Sequence, residues 1–343
     1  MKQILNHLMA GEPATPDQVT LVMDKLMSGE LDPTYGGSFL TLQMRNGIDG
    51  PQLQAALEVM LKYAKNIDIK DDKAVDNCGT GGDGGSGFNV STTACFVVSG
   101  AGHTMAKHGN RAVSSNCGSA DLLEALGIRL DLAPDQIAQC MDEVGVGFMF
   151  APVFHPAVRH AVPIRKSLGV RTMFNMLGPL ANPAGVNHQL IGVFSESLTE
   201  LFGEVLARRG KTAYVVYGED GADEISLNTR TKITEVRDGQ FHSYVFDPRR
   251  HGFDLVDHEA LGGGNLEANL AVFESVLRDK EETPAADMVV LNAGFAMHAT
   301  GAYDDLDNAF QAARDAITTG KAWQKVQDLI EWTKGHSEKP DAS

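Results

Sequence analysis

The chain has 343 residues, enough for about two domains at the usual size of ~100–200 residues each. Hydrophobic residues make up 43% and charged residues 22%, a globular profile rather than a disordered one. Asp plus Glu total 45 against 29 Lys plus Arg, so the net charge is -16. A surface this acidic repels nucleic acid and anionic lipid unless the charge is unevenly spread.

The first seventy residues read as short helices. Thr15-Pro16-Asp17 places a capping hydroxyl before a proline at the first helical position and an acid in the first turn. Val19, Val22, Met23, Leu26 and Met27 follow helical spacing, and Ser28-Gly29 ends the run. Similar segments cover 33–46 and 51–66. No signal core interrupts Met1–His7, and no stretch approaches the ~18 apolar residues of a membrane span. The four cysteines at 78, 95, 117 and 140 form no C-x-x-C and no zinc spacing. They read as reduced thiols, so a cytoplasmic location is expected.

After Asp76 the pattern changes. Strand-like and helical segments alternate with glycine turns, which predicts a parallel α/β sheet. A helix is expected over Leu198–Arg209 and a buried strand over Thr212–Tyr217. Thr231–Val236 and Gln240–Phe246 flank Arg237-Asp238-Gly239 as a hairpin. Helices are expected over Leu266–Leu277, Met288–Ala299, Leu306–Thr318 and Ala322–Trp332. The polar tail from Gly335 is expected to fray. The fold class is therefore α/β: a small all-helical N-terminal domain plus a larger α/β domain with a central, mostly parallel sheet.

The charge is indeed uneven. Residues 84–120 and 144–195 contain no carboxylate, yet they keep Lys107, Arg111, Arg159, Arg165, Lys166 and Arg171. Buried core explains Ala94–Ala101 but not Lys107–Arg111 or Ile164-Arg165-Lys166, and an anionic ligand is the better account. Residues 79–120 also hold ten Gly and ten Ser or Thr. The run from Cys78 to Gly87 leads through Phe88-Asn89-Val90-Ser91-Thr92 into an apolar helix. Glycines let backbone N–H groups approach a phosphate, and the helix N-terminus favours an anion. Gly79-x-Gly81-x-x-Gly84 matches a dinucleotide fingerprint only formally, because no acid follows between Asp83 and Asp121. Gly210-Lys211-Thr212 lacks the earlier glycine of a P-loop, since position 205 is Val205.

Four motifs in order carry a resemblance to a known family: GTGGDGGSGFNVST (79–92), KHGNRAVSSNCGSADLLEALG (107–127), FMFAPVFHPAVRHAVPIRKSLGVRTMFNMLGPLANPAG (148–185) and DEISL (223–227). The chain resembles the anthranilate phosphoribosyltransferases of tryptophan biosynthesis along nearly its whole length. These pentosyl glycosyltransferases move the phosphoribosyl group of 5-phosphoribosyl 1-pyrophosphate to the amine of anthranilate and release pyrophosphate. The resemblance implies Mg2+, a homodimer, small-molecule substrates, and neither nucleic acid nor membrane as partner. It implies a helical domain of residues 1–70 plus about 168–190, and a phosphoribosyl-binding domain of 74–167 and 191–335.

Carried over residue by residue, the resemblance assigns phosphoribosyl pyrophosphate to Gly79, Gly82, Asp83, Gly87, Asn89, Val90, Ser91, Thr92, Lys107, Arg111, Ser115 and Ser119. Arg111 has a second reading, as a structural loop anchor. Anthranilate falls to Gly79, His108, Asn110, Arg165 and Gly178, with Arg165 taking the carboxylate in a planar two-bond geometry and Asn110 orienting the amine. Ser91, Asp223 and Glu224 would hold the metal. His108 and His155 are equally compatible with satisfied structural histidines. Relatives commonly carry threonine just before the Phe of the glycine loop, where this chain has Gly87 after Ser86. Displacement at the anomeric carbon needs no strong base, because an aryl amine is neutral at pH 7, and no catalytic residue stands out. A pyrimidine-nucleoside phosphorylase of the same fold is the alternative, against which DEISL and GPLANP argue.

Overall fold

The computed structural model describes residues 1–81, 87–112 and 117–336. Gly82, Asp83, Ser115 and the end of the polar tail, singled out above, lie outside the described residues. The chain divides into two compact units. One comprises Met1–Asn66 and Ala151–Gly185, and the other comprises Ile67–Phe150 and the chain from Val186 onward.

The first unit is helical. Its N-terminal helices are Lys2–Met9, Pro16–Met27, Pro33–Asn46 and Gly50–Lys62. Two of them begin with reciprocal caps. Thr15 Oγ1 accepts from Gln18 N–H at 3.3 Å while Gln18 Oε1 accepts from Thr15 N–H at 3.0 Å. Asp49 and Gln52 repeat the arrangement before Pro51. The five apolar side chains read at helical spacing from Val19 to Met27 are all buried. The helix expected to reach residue 66 stops at Lys62, because the Lys65 amide turns to donate to the Phe154 carbonyl at 2.8 Å.

The second segment of this unit begins at Ala151, earlier than the expected 168, and ends at Gly185. The helices Ala151–Phe154, Val162–Leu168 and Phe174–Leu180 belong to it. One glycine in the helix Pro33–Asn46 and one in the turn before it make the room. A Cβ on Gly36 would lie 2.7 Å from Ile164 Cδ1, and one on Gly29 2.7 Å from the His160 ring.

The second unit carries a seven-stranded sheet. Its strands are β1 (Val75–Asp76), β2 (Met105–Gly109), β3 (Val146–Phe150), β4 (His188–Gly192), β5 (Thr212–Gly218), β6 (Thr231–Arg237) and β7 (Gln240–Phe246). The order is β3-β2-β1-β4-β5-β6-β7, parallel from β3 to β5 and antiparallel from β5 to β7. The hairpin turns at Asp238 and Gly239, with φ of 52° and 71°. Positive φ at both central residues is the turn whose twist matches the strands. Arg237 pairs with Gln240, so β6 runs one residue further than expected.

The helices Val90–Gly100 and Pro284–Ala299 bury nearly all their side chains beside this sheet. The second starts four residues before the expected Met288, because Thr283 caps it through Ala286 N–H and Pro284 takes the first turn. Leu266–Glu274 ends short of the expected Leu277, and a π turn continues it over Ser275–Asp279. Strand order reverses between β1 and β4: the chain builds outward through β2 and β3 on one side, then through β4 and β5 on the other. In open parallel sheets that switch point is where a crevice opens beyond the carboxyl ends of the strands.

His155 gives the helical unit a pH dependence. Its Nε2 meets the Ala181 carbonyl at 2.9 Å, and burial pushes its pKa down to about 4. The unfolded chain therefore binds a proton near pH 6.5 that the folded chain refuses until about pH 4. The associated stability is present above pH 6.5 and is lost as pH falls, by about 3 kcal/mol at most. His155→Gln, which keeps an N–H for Ala181, should flatten the fall in urea midpoint between pH 6.5 and 4. An unchanged slope would remove His155 as its source.

Candidate active site

Three loops leave the carboxyl ends of neighbouring parallel strands at the switch point. The glycine loop follows β1, Gly192 ends β4, and Asp223-Glu224 follow β5. They touch through backbone. Thr80 N–H donates to the Gly192 carbonyl at 2.9 Å, and Gly81 N–H donates to Asp223 Oδ2 at 2.6 Å. A Cβ on Gly79 would fall on the Asp223 carboxylate, and one on Gly192 would collide with the Asp223 carbonyl oxygen. Ser91 N–H donates to Glu224 Oε1 at 3.3 Å. The metal residues expected from the sequence, Ser91, Asp223 and Glu224, are thus brought together with Gly79.

Asn292 holds the same loop from below. Its Oδ1 accepts from Ile225 N–H at 2.9 Å and its Nδ2 donates to the Ile225 carbonyl at 3.0 Å. Sequence reasoning missed Asn292, although a lone amide in the apolar run Met288–Met297 was the available signal.

The start of the helix Val90–Gly100 is polar and incompletely paired. Thr80 Oγ1, Asn89 Oδ1 and Thr92 Oγ1 are buried and find no hydrogen-bond partner among the described residues. Each such group costs about 1–3 kcal/mol if left unmade. The two threonine hydroxyls can donate to a ligand oxygen and the Asn89 amide oxygen can accept from a ligand hydroxyl, so the three flanking one glycine loop point to a ligand that carries both. Thr80 was not among the expected residues. Val90 differs from the rest: its side chain is core and its N–H bonds the Phe88 carbonyl at 2.8 Å.

The second basic motif is more occupied than expected. Lys107 is buried on β2, its ammonium 2.9 Å from Asn77 Oδ1 and 3.3 Å from the Asn77 carbonyl. Asn77, also missed, donates to the Ser91 carbonyl at 2.7 Å and so ties the cation to the helix start. His108 is buried, its N–H on Asp76 Oδ1 at 3.2 Å. Ser119 Oγ donates to the Asn110 carbonyl at 3.1 Å, and Asn110 Oδ1 accepts from Arg111 N–H at 2.8 Å. The Arg111 guanidinium is engaged by Glu124 at 2.5 and 2.7 Å and by Asp121 at 3.2 Å. That is the geometry of a loop anchor. To meet a phosphate, Arg111 must first leave these exposed pairs, which individually are worth little.

Arg165 and Gly178 belong to the helical unit. Arg165 is half-buried, with its guanidinium 5.3 Å from the centre of the Phe174 ring and its pKa lowered by burial. It makes no ion pair among the described residues, unlike most arginines of this chain. A partly desolvated guanidinium without a carboxylate is a receptor for one. A Cβ on Gly178 would meet nothing within 4 Å, so its side of the helix is open.

Among the described residues no group of three or more His, Cys, Asp or Glu gathers as a metal cage. Asp223 and Glu224 supply two hard carboxylates only. Magnesium commonly keeps waters and takes one or two carboxylates plus substrate phosphates. The donor set therefore fits a magnesium ion completed by the substrate.

Two family models match the chain: the helical bundle domain of a glycosyl transferase family over residues 2–64, and its a/b domain over 71–323. Similar curated proteins are named anthranilate phosphoribosyltransferase. That of Desulfatibacillum aliphaticivorans is 42% identical, covering 97% of this chain and 98% of its own. That of Stutzerimonas stutzeri is 44% identical, covering 97% of each. The anthranilate phosphoribosyltransferase structure from Thermus thermophilus superposes with a TM-score of 0.91 at 38% identity, covering 96% of this chain and 99% of its own. That from Saccharomyces cerevisiae, in complex with PRPP and Mg, has a TM-score of 0.87 at 25% identity over 97% of each chain.

The loop makes one position testable directly. Among the described residues, a Cβ on Gly87 would meet nothing within 4 Å. A side chain there has room, and any residue but glycine narrows the backbone conformations open to that position. Gly87→Thr should lower the KM for phosphoribosyl pyrophosphate by about 2- to 5-fold, the equivalent of the ~0.4–1 kcal/mol that glycine replacement gives at compatible sites. A higher KM would show that the loop needs glycine for another reason.

Proposed function

The chain belongs to the anthranilate phosphoribosyltransferase family, and on that premise we propose how its residues divide the work. It transfers the phosphoribosyl group of 5-phosphoribosyl 1-pyrophosphate to the amine of anthranilate and releases pyrophosphate, a glycosyl transfer in tryptophan biosynthesis. The single observation that carries the site reading is the switch-point convergence of the glycine loop, Gly192 and Asp223-Glu224. A nucleoside phosphorylase would have no need of two carboxylates brought against a phosphate loop.

In this reading the backbone of Gly79–Gly82 and the polar groups of Asn89, Ser91 and Thr92 receive phosphate and ribose oxygens. Asp83, Gly87, Ser115 and Ser119 border the same substrate. Lys107 raises the local positive potential from beneath, through Asn77, rather than by reaching out. Asp223, Glu224 and Ser91 hold Mg2+, which when bound neutralises the leaving pyrophosphate. Arg165 takes the anthranilate carboxylate, with Gly178 leaving the space beside it. Asn110 and His108 serve the amine. Since the aryl amine is already neutral, the rate comes from positioning and from stabilising departing charge. Four cysteines without disulfides fit a reducing cytoplasm, and a homodimer is the assembly we expect.

Anthranilate fluorescence should disappear when the protein receives both phosphoribosyl pyrophosphate and magnesium, and should persist when either is withheld. Asp223→Asn with Glu224→Gln should shift the magnesium titration to markedly higher concentration. Splitting of uridine by phosphate, with anthranilate untouched, would overturn the assignment.

Arg165→Ala should raise the KM for anthranilate by about 10- to 150-fold, as expected for a charged hydrogen bond, and that for phosphoribosyl pyrophosphate far less. Equal losses for both substrates would count against its role.

A further inference from the structure

A second glycine cluster lies away from the four motifs, at Leu261-Gly262-Gly263-Gly264-Asn265. All three glycines have positive φ, of 71°, 100° and 116°. Such a run is strained for any residue with a side chain. The middle one also packs backbone against backbone. A Cβ on Gly263 would lie 2.6 Å from the Gly87 carbonyl oxygen and 2.7 Å from Phe88 N. Gly264 has the same kind of backbone, but a Cβ there would meet nothing within 4 Å.

Asn269, on the helix Leu266–Glu274, joins the two loops. It is buried, and its Nδ2 donates to the carbonyls of Gly264 at 3.1 Å and Asn265 at 2.9 Å. Those two bonds fix which end of the amide is which. Its Oδ1 then faces the other way and accepts from Asn89 N–H at 2.8 Å. Asn89 is the residue on which the helix Val90–Gly100 starts, and its own Oδ1 is one of the buried oxygens without a described partner.

We propose that Gly263 and Asn269 form a buttress that sets the position of residues 87–89 and thereby the affinity for phosphoribosyl pyrophosphate. They are positioning residues and touch no substrate. The inference rests on the reading that the start of the helix Val90–Gly100 receives that substrate. The physical need is plain. Glycine at 87 restricts its own backbone least of all residues, and each residue that must be ordered on binding costs affinity. Backbone packing from Gly263 and an amide staple from Asn269 order its exit in advance.

The test compares Gly263→Ala, Gly264→Ala, Asn269→Ala and Ser91→Ala by steady-state kinetics with each substrate varied, alongside thermal unfolding. Gly263→Ala and Asn269→Ala should raise the KM for phosphoribosyl pyrophosphate by about 3- to 10-fold, the size of effect one hydrogen bond produces, and leave that for anthranilate within about 2-fold. Gly264→Ala carries the same backbone strain without the collision. It should lose comparable thermal stability while keeping both KM values within about 2-fold. If Gly263→Ala does not fold, Asn269→Ala decides alone. Equal KM rises in Gly263→Ala and Gly264→Ala, or no rise in Asn269→Ala, would overturn the buttress. Should Ser91→Ala still raise that KM, the substrate site stands without the buttress. Should Ser91→Ala leave it unmoved, the site reading falls and the buttress with it.

Discussion

The α/β unit depends on one close approach: Asp223 lies where the side chains of positions 79 and 192 would be, its carboxylate at 79 and its backbone at 192. A parallel sheet built outward in two directions leaves the loops of β1, β4 and β5 at the same edge. Those loops cannot all be bulky. Gly79 and Gly192 give way, and Asp223 fills the space with a carbonyl and a carboxylate. The Gly81 amide then finds an acceptor without any ladder partner. The carboxylate pair of Asp223-Glu224 inherits its position from this packing. A side chain at either glycine would move the Asp223-Glu224 loop before it touched any ligand.

Electrostatics follow from the same packing. A protein of net charge -16 has to receive a pyrophosphate, yet two of the cations in its carboxylate-free stretches already have partners. Lys107 rests on Asn77, and Arg111 is held by Glu124 and Asp121. Beside them the described residues offer backbone N–H groups, hydroxyls and the start of a helix. The two stretches without acids matter as much for what they omit as for the bases they keep. Removing a like charge beside a phosphate is a way of attracting it that costs no desolvated cation.

Local chemistry made much of this legible in the sequence. The caps at Thr15 and Asp49, the Asp238-Gly239 turn and the buried strand at 212–217 are each written in a few adjacent residues. The glycine loop and DEISL were legible as motifs, but their contact was not, since 142 residues separate Gly81 from Asp223. The segment 151–167 was misplaced because its helices resemble any others, and only the space left by Gly29 and Gly36 accounts for where they pack. Lys107 and Arg111 looked alike as basic residues of a phosphate motif. Their partners, Asn77 on one side and Glu124 on the other, decide what each can do.

Three asparagines missed by sequence reasoning share one physical task. Asn77, beyond β1, and Asn269 and Asn292, within helices, each hydrogen-bond backbone groups of a neighbouring loop or helix start. An amide offers an acceptor and two donors, so it can hold a neighbouring N–H and a carbonyl at once. It also carries no charge. An aspartate at 77 or 269 would place a negative group beside the start of the helix Val90–Gly100, and would leave the carbonyls the amide now serves without a donor. Only a neutral side chain with both polarities can fix these loops without altering the field in which the substrate is held.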